Sequence, residues 1–129
     1  MTGETKHYQV RVFYEDTDHS GVVYHANYLK YFERAREDYL GYQQLIDMGS
    51  NGIGFAVYKA NLSYNEGAVF GDVLDIRSSA GFDGDYRVIF HHEAWRRKSI
   101  KAAVTADIQL VCLNREKKLL KISDLEIFK

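Results

Sequence analysis

The sequence lacks any apolar run that approaches the roughly 20 residues of a membrane-spanning helix. It has a single cysteine, Cys112, so no disulfide can form within the chain. The 17 Lys and Arg residues nearly balance the 18 Asp and Glu residues, and the net charge of -1 gives no general attraction for nucleic acid. These absences predict a soluble, cytoplasmic protein without a nucleic-acid partner, while peripheral membrane association stays open.

The overall composition is that of a folded globular protein. Hydrophobic residues make up 46% of the 129 positions and charged residues 27%. This length suits one compact unit, so we expect a single domain over residues 1–129. Cys112 stands among Leu110, Val111 and Leu113, which predicts a buried and unreactive thiol.

In the first half of the chain, the spacing between apolar residues changes once. Alternating apolar residues from Tyr8 to Tyr14 predict a first strand that ends near Glu15. From Asn27 the spacing becomes three and four, which predicts one long helix, capped by Asn27, that ends near residues 47–49. The apolar face of this helix would comprise Tyr28, Phe32, Ala35, Tyr39, Tyr42 and Ile46.

The second half has the pattern of strands. We expect them at about 55–64, 73–82, 86–95 and 101–114, with consecutive strands as antiparallel neighbours. Asp83-Gly84 predicts a hairpin turn, and Ser123 with Glu126 fits a capping box for a short last helix. The fold class is therefore α+β, with one helix packed on a curved antiparallel sheet.

Residues with potentially reactive side chains cluster in the loop before the helix. Asp16, Asp18 and His25 precede the helix N-terminus, where unpaired N–H groups and the helix dipole favour a developing negative charge. A carboxylate held there can act as a base or a nucleophile. The same spacing also fits ordinary capping and solvated loop residues, so spacing alone does not choose between these interpretations.

Metal sites fit this segment poorly. Asp16, Asp18, Ser20 and Gly21 match the opening of a calcium-binding EF-hand loop, but the twelfth position is Asn27 instead of a bidentate glutamate. The histidines of the loop have no zinc-ligand spacing. We therefore expect no metal.

Three runs within residues 14–36 resemble a known family. Tyr-Glu-Asp-Thr-Asp at 14–18, Gly-Val-Val-Tyr-His-Ala-Asn-Tyr at 21–28 and Phe-Glu-Arg-Ala-Arg at 32–36 are similar to the Tol-Pal-associated acyl-CoA thioesterases. Those enzymes belong with the 4-hydroxybenzoyl-CoA thioesterases. The order of elements matches over nearly the whole chain, although similarity beyond about residue 66 is looser.

The resemblance implies a hotdog fold, in which the sheet wraps the long helix. It also implies a homodimer or homotetramer with active sites at subunit interfaces, and a role in lipid metabolism. The reaction would be hydrolysis of acyl-CoA to a free acid and CoA without a cofactor. Asp18 would be general base or nucleophile, the His25 backbone N–H would polarise the carbonyl, and Tyr14 with the His25 ring would position the reactants. A neighbouring acid such as Asp16 would raise the pKa of Asp18.

Substrate binding departs from the family pattern. The family's basic turn for the CoA phosphates corresponds to Asp83-Gly84-Asp85, so the phosphates would need one of two other basic turns. These turns are Arg96, Arg97 and Lys98 with Lys101, and Arg115 with Lys117 and Lys118. Glu66-Gly67-Ala68 replaces a Pro-Ala pair in a chain without proline, which would alter the pocket rim.

The acyl group is not defined by the sequence. It would lie near the helix and the second strand, where the candidate lining residues are Phe55, Val57, Tyr58 and Tyr64. The same side chains would also suit the core or a subunit contact. An acyl carrier protein stays open as the donor, and a non-hydrolytic acyl-CoA-binding or interaction module is the alternative function.

Overall fold

The computed structural model describes residues 3–129. Its helices and strands are β1 (Lys6–Arg11), α1 (Asn27–Leu40), α2 (Tyr42–Ser50), β2 (Gly54–Tyr64), β3 (Val73–Asp83), β4 (Arg87–Trp95), β5 (Val104–Leu113) and β6 (Leu119–Leu120). Short 3₁₀ turns occupy Tyr14–Asp16, Ile122–Asp124 and Glu126–Phe128. Within the described range, neither α1 nor α2 has the length and hydrophobicity that a membrane-spanning helix requires.

All strands join one antiparallel sheet in the order β1-β3-β4-β5-β2, with β6 added to β5. The predicted α+β class is confirmed, and so is the β3–β4 hairpin, where Gly84 has a φ of 69°. The expectation that all consecutive strands are neighbours is wrong for β2, which pairs with β5 at the sheet edge, while β1 pairs with β3. Alternation of apolar residues predicts a strand but carries no information about its neighbour.

The core lies between α1 and one face of the sheet, the inner face. Every second side chain of β3, β4 and β5 is buried there, and α1 packs mainly on β1 and β3. The largest fully buried side chains include Tyr31, Phe32, Phe90, Leu74, Ile76 and Ile108. Each such apolar side chain contributes roughly 1.5–3 kcal/mol, so this layer fixes the position of α1.

The predicted long helix is interrupted at Gly41. This residue has a φ of 102° and a ψ of 125°, so it separates α1 from α2. A Cβ at this position would clash with the side chain of Gln44. The break takes Tyr42 and Ile46 off the predicted apolar face, and they are 51% and 60% exposed. Glycine tolerates the positive φ that the turn requires.

Both ends of the chain differ from the prediction. β1 ends at Arg11 instead of near Glu15, because Val12 exchanges backbone hydrogen bonds with the loop before β3. The predicted final helix is replaced by two 3₁₀ turns, in which Ile122 and Phe128 are buried and anchor the tail to the core. Cys112 is buried with a raised thiol pKa, as its apolar surroundings predict.

Candidate active site

A tight loop between the first 3₁₀ turn and α1 carries Asp18. The Asp18 amide donates to the Val22 carbonyl oxygen at 2.8 Å, and the Gly21 amide donates to the Asp18 carbonyl oxygen at 3.0 Å. Gly21 has a φ of 89°, a left-handed conformation that favours glycine. A bridge between Thr17 and Val23 closes the base of the loop. The loop therefore keeps its shape through backbone bonds that do not involve the Asp18 carboxylate.

Two donors from one residue hold the Asp18 carboxylate. Its Oδ1 accepts hydrogen bonds from the Ser20 hydroxyl at 2.6 Å and from the Ser20 amide at 2.8 Å. These bonds, with the hydroxyl first, lower the pKa of Asp18 below the ordinary value of 3.8. The expected rise in pKa is therefore wrong. Asp18 is only partly buried, and the carboxylate of Asp16 is hydrogen-bonded to the Phe13 amide at 2.9 Å.

The N-terminus of α1 follows His25 directly. Ala26 is the capping residue, and no side chain caps the helix. Asn27, the expected cap, instead donates from its side-chain amide to the Asp16 carbonyl oxygen at 2.9 Å. Among residues 3–129 the backbone N–H of His25 has no hydrogen-bond acceptor. An unpaired N–H beside a helix N-terminus can donate to a developing oxyanion.

A cavity of about 310 Å³, the reaction cavity, opens beside His25. Its lining residues are Val22, Val23, His25, Tyr28, Tyr64, Asn65, Glu66 and Gly67. The Tyr64 hydroxyl donates to the His25 carbonyl oxygen at 3.0 Å, so the predicted residues Tyr64 and His25 lie together. Burial raises the pKa of Tyr28 to about 12, which keeps its phenol neutral near pH 7.

Tyr28 and Gly67 also line this cavity, and of the two only Gly67 was expected at the pocket rim. Tyr28 fits the apolar helix face, so nothing distinguished it from an ordinary core residue. Gly67 lies against the Asp18 loop, where an added Cβ would come within 2.7 Å of the Val22 Cγ1 atom. The Val23 amide also donates to the Ala68 carbonyl oxygen at 2.9 Å. The segment before β3 thus packs tightly on the loop because Gly67 has no side chain.

The other aromatic candidates are more dispersed. Tyr14 lies in the 3₁₀ turn before Asp18, is 76% exposed, and packs its ring edge-on against Phe70 at 5.9 Å. Tyr58 is 60% exposed and lies beside Arg87, whose guanidinium is 5.0 Å from its ring. Arg87 belongs to the outer face of the sheet. The structure therefore does not bring Tyr58 together with His25 and Tyr64.

The two basic turns lie at opposite ends of the sheet. Arg96, Arg97 and Lys98 follow β4 at the end where Tyr64 pairs with Val104. The turn is tied to the reaction cavity, because the Ser99 hydroxyl donates to Glu66 Oε1 at 2.9 Å. The turn with Arg115, Lys117 and Lys118 follows β5 at the other end, about 30 Å away along β2. Within one chain, only the first turn lies at the end of the sheet that carries Asp18 and His25.

The described residues lack the geometry of a metal site. Within residues 3–129 no group of three or more His, Cys, Asp or Glu side chains is arranged to hold a metal ion. His91 and His92 lie on opposite faces of β4, with His92 buried and His91 half-exposed, as strand geometry predicts. The arrangement at Asp18 is thus one of a carboxylate, an unpaired N–H and aromatic side chains.

A long helix held by the inner face of an antiparallel sheet, with a loop at the helix N-terminus, defines this α+β protein as a hotdog fold. The chain belongs to the thioesterase-like superfamily, whose family model matches residues 12–126.

Curated relatives match between about half and most of this chain. The acyl-CoA thioesterase YbgC of Haemophilus influenzae is 32% identical over 113 residues, covering 85% of this chain and 83% of that protein. The acyl-CoA thioesterase YbgC of Helicobacter pylori is 46% identical over 68 residues, 53% of this chain and 50% of that protein. The match thus spans about half the length of the Helicobacter proteins. The association with the Tol-Pal system stays a prediction.

Solved structures extend the likeness of fold to more than nine-tenths of the chain. The DHNA-CoA thioesterase of Staphylococcus aureus superposes with a TM-score of 0.84 at 24% identity, covering 95% of this chain and 83% of that one. The 4-hydroxybenzoyl-CoA thioesterase of Pseudomonas sp. strain CBS-3 gives 0.78 at 21% identity, with 92% and 93% covered. At these identities the likeness concerns the fold alone.

Proposed function

We propose that this protein is an acyl-CoA thioesterase that hydrolyses the thioester to a free carboxylic acid and CoA. One observation carries the proposal: His25, with its unpaired N–H, lines the reaction cavity at the N-terminus of α1, and the ionised Asp18 belongs to the loop that contributes Val22 and Val23 to the same cavity. Thioester hydrolysis needs a nucleophile or base beside a donor to the oxyanion. The names of the curated relatives support the same reaction.

The His25 N–H would donate to the thioester carbonyl oxygen and stabilise the oxyanion as it forms. One such donor is worth roughly 2.7–4 kcal/mol in the transition state. The hydrogen bond from the Tyr64 hydroxyl to the His25 carbonyl oxygen would hold this peptide in place. The ring of His25 lies against Tyr24 at 4.6 Å and Tyr64 at 6.1 Å, so these neighbours would orient it toward the cavity.

Asp18 has two possible roles, direct attack or activation of water. Its lowered pKa keeps it ionised but makes it a weak general base near neutral pH, so we favour direct attack. A carboxylate oxygen would then bond to the carbonyl carbon as the C–S bond breaks, and CoA would leave as a thiolate that takes a proton from water. Water would hydrolyse the resulting mixed anhydride and restore Asp18.

The acyl group would lie between α1 and the inner face of β2. The inner-face residues of β2 are apolar and pair with buried residues of β5: Phe55, Val57, Ala60, Leu62 and Tyr64. Val57 is 53% exposed and Tyr64 48%, because α1 packs mainly on β1 and β3 and leaves this strip open. A cavity of about 300 Å³ with Leu40, Met48 and Phe55 continues the strip at its far end.

The decisive measurement for this proposal is release of free thiol from short, long and aromatic acyl-CoAs, followed with a thiol-reactive chromophore. Hydrolysis of at least one class with saturation in substrate is the expected result. Calorimetric titration of the same compounds provides the comparison. Binding without thiol release would overturn the proposal and favour the alternative of a non-hydrolytic acyl-CoA-binding module.

A homo-oligomer is proposed from the free edge of β2. This strand has 11 residues, and within residues 3–129 it pairs on one side only, with β5. An unprotected edge with exposed apolar side chains favours pairing with a second copy about a twofold axis. Light scattering is expected to give two or four times the 14.9 kDa mass of the chain. A monomer mass at assay concentration would contradict this assembly.

A further inference from the structure

We propose that a second cavity, on the outer face of the sheet, holds the nucleotide end of CoA. This inference rests on the proposed thioesterase function and names the substrate's second binding region. The cavity has a volume of about 270 Å³ and lies between β3, β4 and the turn that follows β4. Its lining includes Gln9, Arg77, Trp95, Arg97, Lys98 and Ser99. We call it the outer cavity.

Two of the cations at this cavity have no acidic partner. Arg77 is paired with Asp75 at 3.0 Å, and Arg96 is paired with Asp72 at 3.2 Å. Within residues 3–129, Arg97 and Lys98 take part in no ion pair. An unbalanced guanidinium beside an ammonium group favours phosphate, and a guanidinium can bind it bidentately. The tip of the turn is therefore suited to the phosphates of CoA.

The floor of the outer cavity offers flat surfaces to a purine. The Arg77 guanidinium lies 4.3 Å from the centre of the Trp95 ring. The Trp95 Nε1 donates to Glu93 at 2.8 Å, which fixes the indole orientation, and Asp75 fixes the guanidinium. Indole and guanidinium planes both stack on nucleobases. An adenine placed on this floor would leave its phosphates beside Arg97 and Lys98.

Hydrogen bonds to the segment before β3 connect the outer cavity with the reaction cavity. Ser99 at the turn is hydrogen-bonded to Glu66 of the reaction cavity. Asp72, which pairs with Arg96, also accepts a hydrogen bond from the Val69 amide at 2.9 Å. The segment before β3 therefore spans the distance between the two cavities at one end of the sheet. The pantetheine arm of CoA would cross this end, with the thioester inside and the nucleotide outside.

This placement distinguishes CoA from an acyl carrier protein as the donor. The phosphopantetheine arm of a carrier protein has no adenine to place on Trp95 and Arg77. A protein with this outer cavity should therefore prefer acyl-CoA over the same acyl group on pantetheine. Within one chain, the acidic turn at 83–85 lies at the opposite end of the sheet from this cavity.

The test is the ratio of kcat/KM for acyl-CoA to kcat/KM for the matching acyl-pantetheine. In the double variant Arg97→Glu with Lys98→Glu this ratio is expected to fall about tenfold or more, mainly through KM for acyl-CoA, because charge-assisted hydrogen bonds to phosphate are lost. Trp95→Leu is expected to lower the ratio about fivefold or more through the lost stacking. Adenosine 3′,5′-bisphosphate should inhibit the wild type and lose potency against both variants.

The control reverses two charges at the distal turn, Lys117→Glu with Lys118→Glu. Lys98 and Lys117 both have left-handed backbones, with φ of 63° and 64°, so the two double variants carry the same backbone strain and charge change. An equal fall of the ratio in the control, or an unchanged ratio in the Arg97 and Lys98 variant, would overturn the outer cavity as a nucleotide site. If the wild type hydrolyses neither substrate, the proposed function fails instead, and binding of adenosine 3′,5′-bisphosphate to wild type and variants still decides this inference.

Discussion

Asp18→Asn is expected to lower kcat for acyl-CoA hydrolysis by about three orders of magnitude or more, the range typical for loss of a nucleophile or its base. The amide can neither attack the thioester nor accept a proton from water. The fold should persist, since the Asp18 loop is closed by backbone bonds to Val22 and Gly21. The side-chain oxygen that the variant retains can still accept the two hydrogen bonds that Ser20 donates. Thiol release and circular dichroism measure the two effects separately.

Asp16→Asn is the matched control for this variant. It removes a neighbouring negative charge but leaves an oxygen to accept the Phe13 amide, so the 3₁₀ turn should be kept. Activity within about threefold of wild type is expected, because surface charges a few residues away contribute little. Comparable losses in the two variants would mean that loop charge in general, and not the Asp18 carboxylate, accounts for the rate.

The pH dependence of kcat/KM independently tests Asp18 as the catalytic carboxylate. Hydrogen bonds from Ser20 hold the pKa of Asp18 below 3.8, so the carboxylate stays ionised throughout the mildly acidic range. In folded samples kcat/KM should therefore show no loss from Asp18 until the pH falls below that value. An acid limb well above pH 3.8 would contradict Asp18 as the essential carboxylate.

The free energy of unfolding is expected to fall by about 2 kcal/mol between pH 7 and pH 5 because of His92 alone. This side chain is fully buried and lies between the rings of Phe32 and Phe90, at 4.9 and 5.7 Å. Burial, and then the positive charge of Arg36, lower the pKa of His92 from 6.5 to about 3. The unfolded chain binds a proton below pH 6.5 while the folded chain does not, so acid favours unfolding down to about pH 3.

The variant His92→Gln tests this linkage by urea denaturation at fixed protein concentration. Glutamine can still accept from Arg36 and donate to Ser78, which lie 3.3 and 2.7 Å from the imidazole nitrogens. Glutamine cannot titrate, so the fall in unfolding free energy between pH 7 and pH 5 should be smaller by about 2 kcal/mol. An unchanged fall in unfolding free energy would contradict the conclusion that the His92 imidazole is buried and neutral in the folded protein.

His91→Gln is the opposite control. His91 is half-exposed and lies between Asp107 and Glu93, whose hydrogen bonds and charges outweigh its burial and raise its pKa. A raised pKa contributes stability at acidic pH that is lost as the pH rises through the folded pKa. Removing His91 should therefore increase the fall in unfolding free energy between pH 7 and pH 5. Removing its neighbour His92 should reduce that fall. Adjacent histidines on one strand thus have opposite effects because alternate strand residues face opposite sides of the sheet.

The elements whose signals are local in the sequence agree with their predictions. The α+β class, the start of α1 at Asn27, the hairpin at Asp83-Gly84 and the motif around Asp18 and His25 all depend on residues close together in the chain. Helix and strand periods repeat within a few residues, and one contiguous segment carries the loop and the helix N-terminus. Such features can be predicted from spacing and residue type because their determining contacts span short stretches of sequence.

The fold class, the family resemblance and the segment that carries Asp18 and His25 therefore follow from the order of residues alone. The position of β2 at the sheet edge and the hydrogen bond from Tyr64 to the His25 peptide required the folded structure. The same holds for the turn with Arg97, which lies at the Asp18 end of the sheet, and for the local hydrogen bonds that lower the pKa of Asp18. The physical reason is that strand neighbours and the hydrogen-bond surroundings of a side chain depend on packing in three dimensions, which residue spacing does not encode.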